Sequence, residues 1–173
     1  MILNKQQLRQ AIEEDDLIQN YVHLDTQLTP QGFDLTAGEI HRYKDSGNLD
    51  FSNSEREIPE TEKIEPVKKS EKDDYGWWNL EPGAYKVVMN EKVDIPDYLT
   101  AFAYPRSSLL RMGCSIENAF WDAGYTGTGS FMLVVENKDG VEIKENARVN
   151  QLVFHRINET KEGYSGKYHE GEV

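Results

Sequence analysis

The chain has 173 residues, 38% of them apolar, and carries 31 acidic against 19 basic side chains for a formal net charge of −12. That length fits one domain with a core of its own. The acidity excludes nucleic acid as the main partner, because a phosphate backbone calls for a basic face; it leaves room for a small phosphorylated ligand held by a few cations.

The single cysteine, Cys114, excludes an internal disulfide and suits a reducing cytoplasm. No apolar run approaches the roughly 20 residues of a membrane span, so no membrane partner is expected. The opening residues MILNKQQLRQ turn charged at once and predict no signal peptide. Asn4 to Glu14 reads as a helix, with Asn4 as cap and Gln7 three residues on as in a capping box. Leu8, Ala11 and Ile12 supply its buried stripe. A short strand is expected near Ile18 to Leu24. Pro30 and Gly32 mark a turn, after which Phe33, Leu35 and Ala37 alternate with Asp34 and Thr36 as in a half-buried strand. Asp34 then reads either as a solvated acid or as a group facing a site, where it could orient a metal-bound water.

Residues 44–74 (KDSGNLDFSNSEREIPETEKIEPVKKSEKDD) hold few apolar side chains and charges of both signs. They predict a long surface excursion: a tolerated insertion, a cover over a site or an oligomer contact. Trp77 and Trp78 resume the order as core or contact residues. Strands are expected at Ala84 to Met89 and Leu99 to Tyr104, with a turn over Asn90 to Asp97. Ser107 can cap a short helix with Leu109, Leu110 and Met112 as its interior, and Gly113 ends it. Arg106 and Arg111 flank that turn, and Ser107 and Ser108 line it, a vocabulary suited to an anion. Ser115 to Trp121 and Phe131 to Val135 read as strands around a turn at Asp122 to Gly127. Val141 to Lys144 and Arg148 to Arg156 follow. Short strands with turns at roughly 8–12-residue intervals predict an all-β sandwich, jelly roll or barrel over residues 1–173. Residues 160–173 read as a flexible C-terminal arm, with Tyr164, Lys167 and Tyr168 as groups able to close over a base and phosphates. The four histidines are scattered and predict no zinc site.

Five stretches, in order, resemble one family. They are Gly32-Phe33-Asp34-Leu35-Thr36-Ala37, Arg106-Ser107-Ser108-Leu109-Leu110-Arg111, Trp121-Asp122-Ala123-Gly124-Tyr125-Thr126-Gly127, Asn146-Ala147-Arg148-Val149-Asn150-Gln151-Leu152-Val153-Phe154 and Gly166-Lys167-Tyr168. The chain is similar to the deoxyuridine triphosphatase and deoxycytidine triphosphate deaminase superfamily, in particular to archaeal-type triphosphatases of its deaminase-like branch. The resemblance implies a distorted jelly roll (a β-clip) working as a homotrimer, with sites between subunits and a deoxynucleoside triphosphate bound as its Mg²⁺ complex. It implies that Arg106, Ser107, Ser108 and Arg111 grip phosphates. It also implies that the hairpin from Ser115 to Asp122, with Asn118, reads the base, that Tyr125 packs on the deoxyribose, and that Gln151, Tyr164, Lys167 and Tyr168 contact substrate. Asp122 is the expected water-activating carboxylate; its plainer role is that of an Asx residue stabilising its own turn.

The superfamily performs two reactions, dUTP hydrolysis to dUMP and pyrophosphate, and dCTP deamination. Deamination needs a second acid on the strand after the third motif. Counting back from Asn137 gives Val134, counting forward from Asp122 gives Met132, and Glu136 is the only acid nearby. The expected activity is therefore dUTP hydrolysis. A dCTP deaminase or a bifunctional enzyme is the alternative, and a non-catalytic nucleotide-binding module is the third option. The fifth stretch departs from the deaminase-like pattern, with Gly171 where a glutamine belongs.

Overall fold

The computed structural model describes residues 1–160 and 162–166, so the expectations for Lys167 and Tyr168 lie outside the described residues. In chain order the elements are α1 (Lys5–Asp15), β1 (Ile18–Gln19), α2 (Leu24–Gln27), β2 (Leu28–Thr29), β3 (Gly32–Tyr43), β4 (Thr61–Lys63), β5 (Trp77–Leu80), β6 (Gly83–Asp94), β7 (Leu99–Pro105), α3 (Ser107–Arg111), β8 (Cys114–Glu117), β9 (Thr126–Val135), β10 (Val141–Lys144) and β11 (Arg148–Arg156). The large sheet runs β7-β11-β3-β6-β9-β8, with β1 added to β6 and with β2 and β4 added to β3. Every pairing in it is antiparallel. Its ends curl toward each other, and a bridge between Ala101 of β7 and Trp121, just beyond β8, draws them together. The expected distorted jelly roll is what forms.

Period-two alternation builds the core. On β6, Tyr85, Val87, Met89 and Val93 turn inward, while Lys86, Val88, Asn90 and Lys92 lie on the outer face. On β9, Phe131, Leu133 and Val135 turn inward. The helix α1 seats Leu8 and Ile12 on the sheet and starts with the expected capping box, Asn4 Oδ1 accepting from the Gln6 and Gln7 backbone N–H groups.

Several local expectations change. The strand near Ile18 to Leu24 shrinks to two residues, and Leu24 starts a helical turn capped by His23. β6 continues to Asp94 through the expected turn, because Glu91 joins the inward row. Its carboxylate accepts from Gln27 Nε2 at 2.7 Å, Thr36 Oγ1 at 2.6 Å and the Thr36 N–H at 3.0 Å. Those bonds offset a burial that pushes the Glu91 carboxyl above its usual range. The helix α3 is capped by Arg106 without any side-chain bond, so Ser107 is its first residue rather than its cap, and only Leu109 of the expected interior is buried. Gly113 does end it, at φ +75°. β9 begins at Thr126 rather than near Phe131. Trp78 is core, its indole N–H donating to the Ile64 carbonyl, while Trp77 lies under the ammonium of Lys69.

Residues 44–74 contribute β4 to the edge of β3 and two isolated bridges, Asn48 to Glu57 and Val67 to Trp77. Ile58, Pro59 and Thr61 of this segment border the candidate site.

Candidate active site

The third-motif stretch is held by its backbone. Trp121 exchanges main-chain bonds with Ala101, and Thr100 Oγ1 donates to the Trp121 carbonyl at 2.7 Å. The next residues turn sharply at Gly124, whose φ is +79°. The Gly124 N–H donates to the Ile95 carbonyl at 2.8 Å and the Tyr125 N–H to the Asp122 carbonyl at 3.3 Å. The turn thus closes through main-chain groups. The Asp122 carboxylate takes no hydrogen bond from another described residue, so the Asx role is not the one it plays.

Asp122 instead lines a cleft of about 400 Å³, bordered both by outer-row residues (Lys86, Ser130, Met132) and by the buried Trp121, Gly129 and Phe131. Trp121, Tyr125 and Tyr164 form one wall. Trp121 and Tyr125 meet edge to face with centroids 5.3 Å apart, and Tyr125 and Tyr164 do so at 5.5 Å. Burial, and secondarily Tyr164, raise the pKa of the Tyr125 phenol, so it stays a neutral donor or acceptor at ordinary pH. Tyr164 is brought there by its own backbone, whose N–H donates to the Ala123 carbonyl at 2.8 Å.

Gly129 makes this wall possible. It lies on the inward row of β9 directly against the Trp121 indole, so a Cβ there would collide with the ring. Gly129→Ala is expected to cost about 1–3 kcal/mol, as overpacking does. A thermal melt measures the cost, and the quenching of Trp121 fluorescence by added nucleotide should weaken in parallel.

Glu117, from the Ser115 to Asp122 stretch, also lines the cleft, and so do Ile58 and Pro59 of the 44–74 excursion, for which a cover over a site was one of three readings. Tyr43, Thr61 and Lys86 join them and were not expected there. Ile58 and Pro59 lie between the Asn48–Glu57 bridge and β4, and the β3–β4 pairing, which joins residues about 20 apart in the chain, fixes β4 beside them. Lys86 left a trace as the charge interrupting the outer row of β6.

The deaminase question also resolves into geometry. Met132 lines the cleft and pairs with Glu117 of β8 on one side and Lys86 of β6 on the other. β8 and β9 pair without a bulge, so Glu136 falls beyond the end of β9, with its carboxylate 3.5 Å from Ser115 Oγ.

A second cluster forms around the other predicted residues. Asp34, only 1% exposed, forms an ion pair with Arg106 Nε at 3.0 Å and accepts from Arg148 Nη1 at 3.2 Å and Gln151 Nε2 at 3.1 Å. It is neither solvated nor on a half-buried strand: residues 32–37 of β3 are all buried, and Arg106, Arg148 and Gln151 close over the carboxylate. Ser107, Ser108 and Arg111 are exposed beyond Arg106, and Arg111 Nη1 donates to Ser107 Oγ at 3.3 Å. Asn118 lies in neither group: its amide donates to the Ala103 carbonyl and accepts from Asn150. Within one chain, then, Asp122, Tyr125 and Tyr164 share a cleft, while Arg106, Ser107, Ser108, Arg111 and Gln151 do not line it.

Over residues 2–157 the sequence matches the dCTP deaminase-like family. The chain belongs to that family. It is similar to a protein of Methanococcoides burtonii named probable deoxyuridine 5′-triphosphate nucleotidohydrolase, at 44% identity covering 96% of both chains. A protein of the same name from Methanosarcina acetivorans is 46% identical over 96% of this chain and 95% of its own. Among solved structures, the dCTP deaminase of Agrobacterium tumefaciens superimposes with a TM-score of 0.64 at 19% identity, covering 88% of this chain and 47% of that one; this likeness establishes the fold.

No group of three or more His, Cys, Asp or Glu side chains that could hold a metal occurs among the described residues. Asp34 already spends about three of its roughly four acceptor sites on Arg106, Arg148 and Gln151. The donors present therefore do not fit a resident cation.

Proposed function

We propose that this protein is a dUTP diphosphatase, hydrolysing dUTP to dUMP and pyrophosphate. The observation that carries the reading is the Asp122 carboxylate, left unpaired by its own turn and lining a cleft beside Trp121, Tyr125 and Tyr164. The names of the relatives support it. The aromatic wall receives the nucleoside, and Tyr125 packs on the sugar. Asp122 orients a water and accepts its proton as the water oxygen bonds to the α-phosphorus. The bond from that phosphorus to the bridging oxygen breaks, and pyrophosphate leaves. Mg²⁺ arrives as part of the substrate, on the triphosphate oxygens, and neutralises charge there.

The phosphate-binding part of the reading rests on Arg106, Ser107, Ser108 and Arg111, supported by a cationic cluster in which three arginines (106, 111 and 148) accompany one buried aspartate. Because these residues lie apart from the Asp122 cleft, the working site is completed between copies of the chain, in a homotrimer. The exposed aromatic side chains Phe102, Tyr104 and Phe120 offer a contact surface for that assembly. Asp34 holds Arg106 and Arg148 in place rather than orienting a metal-bound water. A buried, unpaired Cys114 suits work in the cytoplasm.

One observation favours a second reading. Glu117 lines the cleft directly opposite Met132, one of the two positions, with Val134, to which counting assigns a deaminase's acid. Incubation with Mg²⁺ and either dUTP or dCTP separates the two. Pyrophosphate from dUTP alone is expected. Ammonia from dCTP would assign Glu117 to deamination, and neither product from either nucleotide would leave a binding module.

A further inference from the structure

Lys86 stands in the cleft without a hydrogen-bond or ion-pair partner among the described residues. It is half-buried on the outer face of β6, and its ammonium forms no ion pair or hydrogen bond with a described residue. The acid that most affects it, Glu39, is already engaged by Lys63 at 2.6 Å and His41 at 2.9 Å. Desolvation lowers the Lys86 pKa below the ordinary lysine value, with Glu39 acting in the other direction. An unpaired cation half withdrawn from water is costly unless a ligand supplies its acceptor.

Its position says which part of a ligand that is. Asp122 and Tyr125 precede β9, while Lys86 is paired with Met132, well along that strand. A nucleotide with its sugar on Tyr125 and its phosphates near Asp122 therefore extends its base along β9 toward Met132 and Lys86. Ile58, Pro59 and Tyr43 line the same cleft.

Resting on the dUTP reading above, we propose that Lys86 is a specificity-determining residue that donates to the carbonyl oxygen at the 4-position of uracil and rejects cytosine. An ammonium offers donors and no acceptor. Uracil presents an acceptor at that position, and cytosine presents an amino donor. The mismatch sets like against like in a partly desolvated place, where a lost polar match discriminates strongly. Glu117, across Met132, is exposed and carries the opposite preference, which Lys86 outweighs while it is charged.

The test is calorimetric binding of dUMP and dCMP to the full chain and to its Lys86→Met and Lys86→Arg variants. Methionine keeps the apolar stem, so the fold is preserved, and a melting curve checks this. The wild type should prefer dUMP. Lys86→Met should narrow that preference about tenfold or more, and Lys86→Arg should keep it. An unchanged dUMP-to-dCMP ratio in Lys86→Met overturns the proposal. An equal loss for both nucleotides also overturns it, by placing the ammonium on the phosphate. Pyrophosphate release from dUTP by the wild type is measured on the same preparation. If that fails, the dUTP reading falls; if it succeeds while the binding ratio stays fixed, only the role of Lys86 falls.

Discussion

Asp122→Asn should lower dUTP turnover about a thousandfold, within the range for removing a general base and equivalent to about 4 kcal/mol of barrier, while the variant still binds dUTP. Both halves of that expectation come from the same geometry. The turn at Asp122 is closed by the Tyr125 and Gly124 N–H groups, and the carboxylate contributes nothing to it. An asparagine can therefore occupy the position with the backbone, and the aromatic wall built on it, intact. What it cannot do is take a proton from water. Stopped-time assays of pyrophosphate release give the turnover, and equilibrium dialysis with dUTP gives the binding. Turnover within tenfold of wild type would remove Asp122 from its role. Loss of binding together with turnover would show that the carboxylate holds the ligand rather than the water.

The largest structural effect is expected at Asp34. Its side chain is 1% exposed and binds Arg106 and Arg148, which are 30% and 33% exposed. Asp34→Ala leaves two guanidinium groups facing each other without the anion between them. Truncating one member of a buried ion pair costs about 3–5 kcal/mol; the partial exposure of the arginines favours the lower end, near 3 kcal/mol. For a chain of this size that corresponds to a fall of roughly 6–12 °C in melting temperature. Asp34→Asn keeps an acceptor for one arginine and should lose about half as much. Because Arg106 leads directly into Ser107 and Ser108, KM for dUTP should rise in both variants under conditions where they remain folded. A melting temperature unchanged in Asp34→Ala would show that solvent, not Asp34, satisfies the two arginines.

Local pattern made much of the fold legible. The capping box at Asn4 and Gln7, the inward alternation around Val87 and Leu133, and the helix-ending Gly113 depend on neighbours a few residues away, so they can be read along the chain. The stretch from Trp121 to Gly127 was legible as a candidate site through its resemblance to a family motif; by local pattern alone Asp122 reads as a turn residue. Glu91 was not: an acid on a strand looks solvated until Gln27 and Thr36, 64 and 55 residues earlier, supply its donors. Asp34 hid in the same way, since its partners Arg148 and Gln151 are 114 and 117 residues away. Lys86 belongs to the cleft only through its register with Met132, and Ile58 and Pro59 through the pairing of β4 with β3 beside them, neither of which composition encodes.

Tyr164 is held at the cleft twice, by its own peptide N–H on the Ala123 carbonyl and by its ring against Tyr125. The first attachment is indifferent to residue type and the second is not. Exchanging this side chain for another ring should therefore leave the segment tied to the turn that carries Asp122 and the wall intact, whereas losing the ring keeps the tie and opens the wall. Backbone and side chain here divide two tasks, anchorage and shape.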